Sequence, residues 1–260
     1  MKQFYLALLL IVVLIFAITG CHKTAPSLYA SNPLTNYYMP LAIGKYITYR
    51  MDSLTFYYFG QSDTTNSYLA KDIIEDSTTD NLGRLSWIVT RYLSDTTGMV
   101  PWQPTETYLV TPTKGTIEVN ENNLRYLKLT YPMANGDNWT GNTYLPTAPF
   151  QDHFSFSDQI NTDLQAWNYT YQNVNRPFVV ANNTAYDSTV TVLQVNDSSG
   201  LPIIDTVFAS KTYWTETYAK NIGLIYRQTT IWEYQPASPN GTVAGYKIGF
   251  GLKLSIVDHN

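Results

Sequence analysis

Alternation of apolar and polar residues is clearest near the carboxyl end of the chain, in residues 246–257. One face of this segment is wholly apolar and consists of Tyr246, Ile248, Phe250, Leu252, Leu254 and Ile256. The residues between them are polar or small and include Gly249 and Gly251. A period of two with one apolar face predicts a half-buried β-strand that covers a core on one side. The two glycines leave the other face bare, which favours strong curvature of the sheet or close approach of another backbone.

Shorter runs of the same kind recur along the chain, separated by clusters of Asn, Asp, Gly and Ser that favour turns. They predict strands at residues 47–51, 67–75, 85–93, 106–110, 116–119, 124–131, 166–174, 178–181, 188–195, 203–209, 213–218 and 224–234. One short helix is predicted at residues 157–165, with Ser157 as its cap. The pattern therefore predicts an all-β, antiparallel, strongly curved meander sheet, a barrel or a half-barrel, with at most one or two short helices.

Two of the predicted strands depart from simple alternation. In the third, Arg91 interrupts a face that is otherwise apolar. In the ninth, Val190 and Val192 face one way while Leu193 and Val195 face the other. The second arrangement implies either burial on both sides or a β-bulge.

The first twenty residues have the layout of a secretory signal peptide, with a basic start at Lys2 and an apolar run over residues 6–17. At roughly 12 to 15 residues this run is shorter than the ~20 that a membrane-spanning helix needs, which makes a retained transmembrane anchor the weaker interpretation. We predict a signal peptide at residues 1–20, a lipidated amino terminus and flexible tether at residues 21–36, and a single all-β domain at residues 37–260.

The apolar run closes on Ile18-Thr19-Gly20-Cys21, which resembles the bacterial lipobox and contains the one cysteine of the chain. The resemblance implies cleavage before Cys21 and attachment of lipid to its thiol. The alternative is an ordinary secretory signal with a chance cysteine. Residues 22–26 lack the aspartate that retains some lipoproteins in the inner membrane, and they lack an acidic surface-export cluster. The resemblance thus implies a protein that is lipid-anchored in the outer membrane and faces the periplasm.

Two further segments resemble parts of uncharacterised cell-envelope lipoproteins of the Bacteroidota. Residues 40–44 match a Pro-Leu-x-x-Gly opening, and residues 218–224 match a Tyr-Ala-x-x-Val-Gly-Leu turn except that Ile222 replaces valine. The resemblance implies an all-β domain between them and carries no known chemistry. Residues 132–136 repeat the Pro-x-Ala-x-Gly pattern of residues 40–44. Either the domain contains two related halves, 37–131 and 132–260, or similar turn chemistry recurs by coincidence.

Composition narrows the range of functions. Without Lys2 the chain has 15 basic residues (16 less one) against 20 acidic, a net charge of −5. No basic patch is evident, which argues against nucleic acid as a partner. A single cysteine permits no internal disulfide, and the three histidines do not have zinc-ligand spacing. We therefore predict no metal and no cofactor.

The sequence contains few residue patterns that indicate catalysis. A Ser-His-Asp arrangement drawn from Asp152, His153, Ser155 and Asp158 would place its members too close along the chain for a triad. The acids Asp72, Glu75 and Asp76 could act as a glycosidase pair only in a cleft, whereas acids on a solvated surface are commoner. We predict no catalytic residues and no enzymatic activity.

The surplus of aromatic residues, 22 Tyr and six Trp, is the remaining signal. Trp87, Trp139, Trp214 and Trp232 are candidates for an aromatic ligand surface, although aromatic residues are also ordinary core residues of β-sheets. The first hypothesis is a non-catalytic envelope domain that binds a protein or glycan partner. The alternative is a carrier that encloses a lipid-like or other hydrophobic ligand in a curved sheet, and a hydrolase is third. An open apolar interior would favour the carrier, and a filled interior with exposed aromatic residues would favour the partner-binding domain.

Overall fold

The computed structural model describes residues 32–157 and 164–260, which form one compact unit. The predicted signal peptide, Cys21 and Asp158 lie outside the described residues. The unit contains a five-residue helix, α1, and twelve strands. The elements are α1 (Pro33–Tyr37), β1 (Tyr46–Tyr57), β2 (Ser62–Thr79), β3 (Leu85–Ser94), β4 (Gln103–Pro112), β5 (Thr116–Glu121), β6 (Leu124–Thr130), β7 (Asn138–Thr140), a 3-10 helix (Leu164–Ala166), β8 (Asn168–Val179), β9 (Ala185–Ser199), β10 (Ala209–Ala219), β11 (Gly223–Gln235) and β12 (Tyr246–His259).

All twelve strands belong to one antiparallel sheet, ordered β6-β5-β4-β3-β2-β1-β12-β11-β10-β9-β8-β7. Each half of the order is a meander, and the two meanders join where β1 pairs with β12, with Met51 opposite Leu254. The all-β, antiparallel, curved meander that the sequence predicts is confirmed.

The two edge strands, β6 and β7, lie close enough for bonds that nearly close the sheet into a barrel. The Leu127 N–H donates to the Gly141 carbonyl at 2.8 Å, and Trp139 Nε1 donates to the Leu127 carbonyl at 2.8 Å. The Tyr171 hydroxyl accepts from the Thr130 N–H and donates to the Thr130 carbonyl. This seam satisfies edge groups that would otherwise be open to pairing with another chain.

The last strand follows its predicted pattern. Leu254 and Ile256 are fully buried, while Ile248, Phe250 and Leu252 pack against the core from the same face. Gly249 has φ +129°, and a Cβ there would lie 2.1 Å from the Ile231 carbonyl oxygen. Only glycine fits where the sheet bends this closely onto its neighbour.

The mixed pattern of residues 188–195 arises from a β-bulge, one of the two predicted explanations. Trp214 pairs with Val195 while the next residue, Thr215, pairs with Leu193, so Gln194 is the additional residue. Because the bulge reverses the alternation, Val190 and Val195 both contact the core.

Several predictions about local structure were wrong or incomplete. The strands predicted at residues 166–174 and 178–181 are one strand, β8. Residues 203–209 are mostly a connection, because β10 begins only at Ala209 and the apolar residues that suggested a strand, such as Ile204, are exposed. The three-residue strand β7 was not predicted. The predicted tether ends early, because Asn32 caps α1 and its amide donates to the Thr113 carbonyl. Most of the predicted helix at residues 157–165 lies outside the described residues.

The interior contains two hydrophobic clusters, one toward each end of the barrel. Leu34 of α1 packs into the first cluster, at the end where β1 begins, which we call the helix end. The second cluster lies at the opposite end, where the β1–β2, β3–β4, β5–β6, β9–β10 and β11–β12 connections gather, and we call this the loop end. Phe150, Phe154 and Phe156, from the connection between β7 and β8, fill part of the loop end.

The two Pro-x-Ala-x-Gly segments form the same hydrogen-bonded turn. Gly44 (φ +84°) and Ile74 exchange bonds with the segment leading into β1: the Gly44 N–H donates to the Ile74 carbonyl, and the Ile74 N–H donates to the Lys45 carbonyl. Gly136 (φ +89°) bonds in the same way to Tyr171. Each turn opens one six-stranded meander. Duplication of the two halves remains a prediction that this similarity motivates.

Candidate ligand-binding site

A layer of charged side chains crosses the barrel between the two hydrophobic clusters. Its members occupy inward positions of seven strands, so that in β11 Arg227 lies between Ile225 of the first cluster and Ile231 of the second. We call this set the charge layer, and it consists of Asp72, Arg91, Glu106, Glu121, Lys128, Glu216 and Arg227.

One half of the charge layer centres on Arg91, the residue that interrupts the apolar face of β3. Its guanidinium binds the Asp72 carboxylate through two bonds of 2.7 and 2.8 Å. A further nitrogen, Nη1, donates to Glu106 at 3.1 Å and to Glu121 at 3.3 Å. The Tyr108 hydroxyl donates to Asp72 at 3.0 Å. Arg91 is therefore surrounded by acceptors, which a buried guanidinium requires.

The other half centres on Arg227 and Glu216. Arg227 Nη1 donates to both oxygens of Glu121, at 3.0 and 3.1 Å, and Arg227 Nε lies 2.8 Å from Glu216 Oε1. Lys128 Nζ donates to the same Glu216 oxygen at 2.8 Å, and the Tyr218 hydroxyl donates to Glu216 Oε2. Glu121 links the two halves because it bonds to both arginines.

Burial and neighbouring charges shift the pKa values of the layer in opposite directions. Burial opposes ionisation of Glu121, but Arg227 and Arg91 outweigh it and lower the pKa to about 2. Burial raises the pKa of Glu106, and the charge of Glu121 adds to the rise. Burial lowers the pKa of Lys128, although Glu216 offsets part of this effect. The neighbouring positive charges thus favour ionised Glu121 and Glu216, whereas burial makes ionisation of Glu106 less favourable than in water.

A cavity of about 580 Å³ lies on the loop-end side of the charge layer. Lys128, Arg227 and Glu121 form its floor, and aromatic and aliphatic side chains form its walls. The wall residues are Leu124, Tyr126, Phe150, Phe154, Trp214, Phe250 and Leu252. The cavity opens beside Asn122 and Asn123 of the β5–β6 turn and beside Pro149 and His153. An apolar wall with a few convergent polar groups, in a volume of several hundred cubic ångströms, is typical of small-molecule sites.

The aromatic wall is built from residues that are distant in sequence. The Phe250 ring of β12 lies 5.3 Å from Phe154 and 5.6 Å from Phe150, measured between centroids. Trp214 of β10 lies 5.1 Å from Trp167 and 6.1 Å from Phe150. These contacts hold the β7–β8 connection against the barrel wall and fix one side of the cavity.

Trp214 also presents an unusual polar atom. The residue is only 6% exposed, and its Nε1 has no hydrogen-bond partner among the residues that the structure describes. A buried indole N–H normally finds an acceptor. Trp214 lines the cavity, so a ligand could supply one.

The four predicted tryptophans lie in different environments. Trp87 packs against the helix-end cluster, and Trp139 closes the barrel seam. Trp232 lies opposite Gly249 with its ring 5.5 Å from Lys247 Nζ. Of the four, Trp214 is the residue that lines the cavity.

The predicted catalytic alternatives do not converge in the described part of the chain. Asp72 lies in the charge layer, whereas Glu75 accepts bonds from Thr90 and Tyr92. His153 lines the mouth of the cavity, and no hydrogen bond joins it to Asp152 or Ser155. Among residues 32–157 and 164–260, no group of three or more His, Cys, Asp or Glu side chains could hold a metal ion.

Apolar side chains are exposed on several loop-end connections. Phe59 is 96% exposed and Tyr58 is 79% exposed at the tip of the β1–β2 hairpin. The other exposed residues at this end are Tyr57, Met99, Val100, Tyr144, Leu201, Ile204, Val207 and Val243. A groove of about 480 Å³ runs beside the hairpin, and Phe154 lines both this groove and the cavity.

Comparison with models of known protein families finds no match, and comparison with curated proteins finds none either. A comparison with solved structures matches a protein of Bacteroides fragilis described as exported and as having a YmcC-like fold. The two chains are 12% identical, the match covers 86% of this chain and all of the other, and the TM-score is 0.35. This score is below the level that indicates a shared fold. No helix among the described residues is long and apolar enough to cross a membrane.

Proposed function

We propose that this protein is an envelope lipoprotein that carries a hydrophobic ligand, without catalysis, in the cavity at the loop end of its barrel. Lipid on Cys21 would anchor it to the outer membrane, with the barrel in the periplasm. The observation that supports carriage is the aromatic-walled cavity of about 580 Å³, which is large enough for a ligand of a few rings or a folded acyl chain.

The placement of the chain suits this role. The described body begins at Asn32, which is bound to the helix end through Thr113, and the cavity opens at the opposite end. The described body therefore begins on the side away from the cavity mouth. The mouth would remain accessible while the protein is anchored.

Binding of phenylnaphthylamine, a neutral aromatic probe that fluoresces in apolar surroundings, tests carriage. The Cys21→Ser protein, which keeps the whole chain but needs no detergent, is expected to bind it saturably. Thr229→Phe places a ring in the cavity and should abolish binding. Its control is Thr230→Phe, because the neighbouring residue on β11 points to the other face and should leave binding intact. Equal binding by the two variants, or none by the parent protein, would refute carriage.

The anchor has its own test. Expressed in a bacterium that processes lipoproteins, the parent chain is expected to partition into detergent and to gain the mass of a diacylglyceryl group and an acyl chain. The Cys21→Ser chain should appear in the aqueous phase. A chain that partitions into detergent without Cys21 would show that the lipid prediction is wrong.

A second candidate function, docking of a protein partner, is favoured by the exposed apolar residues of the loop end. Monomers rarely expose several large apolar side chains at one end without a partner. Photo-crosslinking from position 59 in cells should give a discrete protein adduct, and the same group at Ile43, exposed at the helix end, should give none. Identical results at the two positions would remove this candidate.

A further inference from the structure

We infer that the ligand of this cavity is an amphiphile with one anionic group, a carboxylate or a group of similar charge, which Lys128 at the cavity floor and Trp214 in the cavity wall bind. The inference rests on the proposed carrier function and adds the chemical class of the ligand. The supporting observation is that the charge layer and Trp214 present more hydrogen-bond donors than acceptors to the cavity.

Among the charge layer and Trp214, the hydrogen-bond donors that face the cavity exceed the acceptors. Lys128 has three ammonium N–H groups, and Glu216 is its one hydrogen-bond acceptor in the described part of the chain. Trp214 Nε1 is buried and has no partner there. On the acceptor side, both oxygens of Glu121 are already bound to Arg227. A group that accepts hydrogen bonds would therefore suit either donor, whereas a donor group would find about one unused lone-pair site on Glu121, which already accepts three bonds.

The net charge of the residues that line the cavity also favours an anionic group. The floor contributes Lys128 and Arg227 against Glu121, an excess of one positive charge among the residues that face the cavity. Glu216, which balances them, is not among the lining residues, and its carboxylate is held by Lys128 and Tyr218. The Lys128 side chain is 4% exposed, so an anion beside it would be largely removed from water, where charge-assisted bonds are strong.

The apolar walls of the cavity indicate the chemistry of the rest of the ligand. The Tyr126 ring lies 4.6 Å from Lys128 Nζ, and Phe250, Phe154 and Phe150 continue the apolar surface toward the mouth. An anionic head at Lys128 would thus place an aromatic or acyl body along these rings. The groove beside the β1–β2 hairpin shares Phe154 with the cavity, so the two recesses are neighbours at the loop end.

A matched pair of probes separates this inference from carriage itself. Anilinonaphthalene sulfonate has the aromatic skeleton of phenylnaphthylamine and adds one sulfonate. The Cys21→Ser protein is expected to bind the sulfonate at least about tenfold more tightly than the neutral probe. Lys128→Met should remove most of that preference and change the affinity for the neutral probe less than about twofold. Lys253→Met, the control, removes a lysine that lines a different recess and should alter neither affinity.

Trp214→Phe gives an independent reading if Lys128→Met does not fold, because it keeps an aromatic ring and removes only the indole N–H. It should weaken the sulfonate by about three- to tenfold and spare the neutral probe. Failure of both probes to bind would refute the carrier function. Binding of both probes with equal affinity, or a preference that survives Lys128→Met and Trp214→Phe, would refute the anionic head group and leave carriage standing.

Discussion

Replacement of Glu121 by glutamine tests whether the charge layer stabilises the barrel. Glu121 has a pKa of about 2 in the folded protein against 4.5 for an unburied glutamate. Each pKa unit corresponds to about 1.4 kcal/mol, so the ionised carboxylate contributes about 3 kcal/mol to the free energy of unfolding. Glu121→Gln keeps the shape of the side chain but leaves Arg227 and Arg91 without this charge. At pH 7 the variant should be less stable by about 3 kcal/mol or more.

The pH dependence follows from the direction of the shift. Because the folded pKa is depressed, the contribution of Glu121 is complete above pH 4.5 and is lost as the pH falls toward 2. The difference between the parent protein and Glu121→Gln should therefore be constant between pH 5 and 7 and should shrink below pH 4.5. Urea unfolding followed by tryptophan fluorescence at several pH values measures both quantities.

Glu106→Gln is the matched control. Burial raises the pKa of Glu106, and its Oε1 has no partner among the described residues, so this acid gains little from ionisation. The glutamine should change stability at pH 7 by less than about 1 kcal/mol. Equal losses for the two variants, or a loss in Glu121→Gln that does not shrink in acid, would refute the assigned roles.

Two further substitutions test the barrel itself. Gly249→Ala should lower the free energy of unfolding by at least about 2 kcal/mol, because of its positive φ and the collision of a Cβ with the Ile231 carbonyl, whereas Gly115→Ala should be nearly neutral. Trp139→Phe removes the indole bond to the Leu127 carbonyl across the seam and should cost about 1–3 kcal/mol in the same urea assay. Seam amides that exchange no faster in Trp139→Phe than in the parent protein would contradict this role.

The fold was accessible from the sequence because its signals are local. The alternation in residues 246–257 predicted β12 and its buried face, and the reversed pattern of Val190 and Val195 implied either burial on both sides or a bulge, of which the structure has the bulge. The short elements α1 and β7 were not predicted from these patterns. Helix α1 has only five residues, too few for a helical period, although its Asn32 cap followed by Pro33 is a recognisable start signal.

The candidate site was less accessible because its residues meet across long sequence separations. Lys128 and Glu216 are 88 residues apart, and Arg227 and Glu121 are 106 apart. Arg91 did stand out as a charge within an apolar face, and Glu216 and Arg227 interrupt inward faces in the same way. A search for charged residues at inward positions would have found the layer, but pairing and the cavity depend on barrel closure and on the irregular β7–β8 connection.

The indole resonances of the six tryptophans test the central claim most directly. In a ¹⁵N-labelled Cys21→Ser protein titrated with anilinonaphthalene sulfonate, the Trp214 Nε1–H signal is expected to shift strongly and to saturate, since this group lines the cavity and has no acceptor in the described structure. The Trp87 signal, from the helix-end cluster, should stay in place. A Trp214 signal that does not move while the probe binds would place the ligand elsewhere and contradict the account.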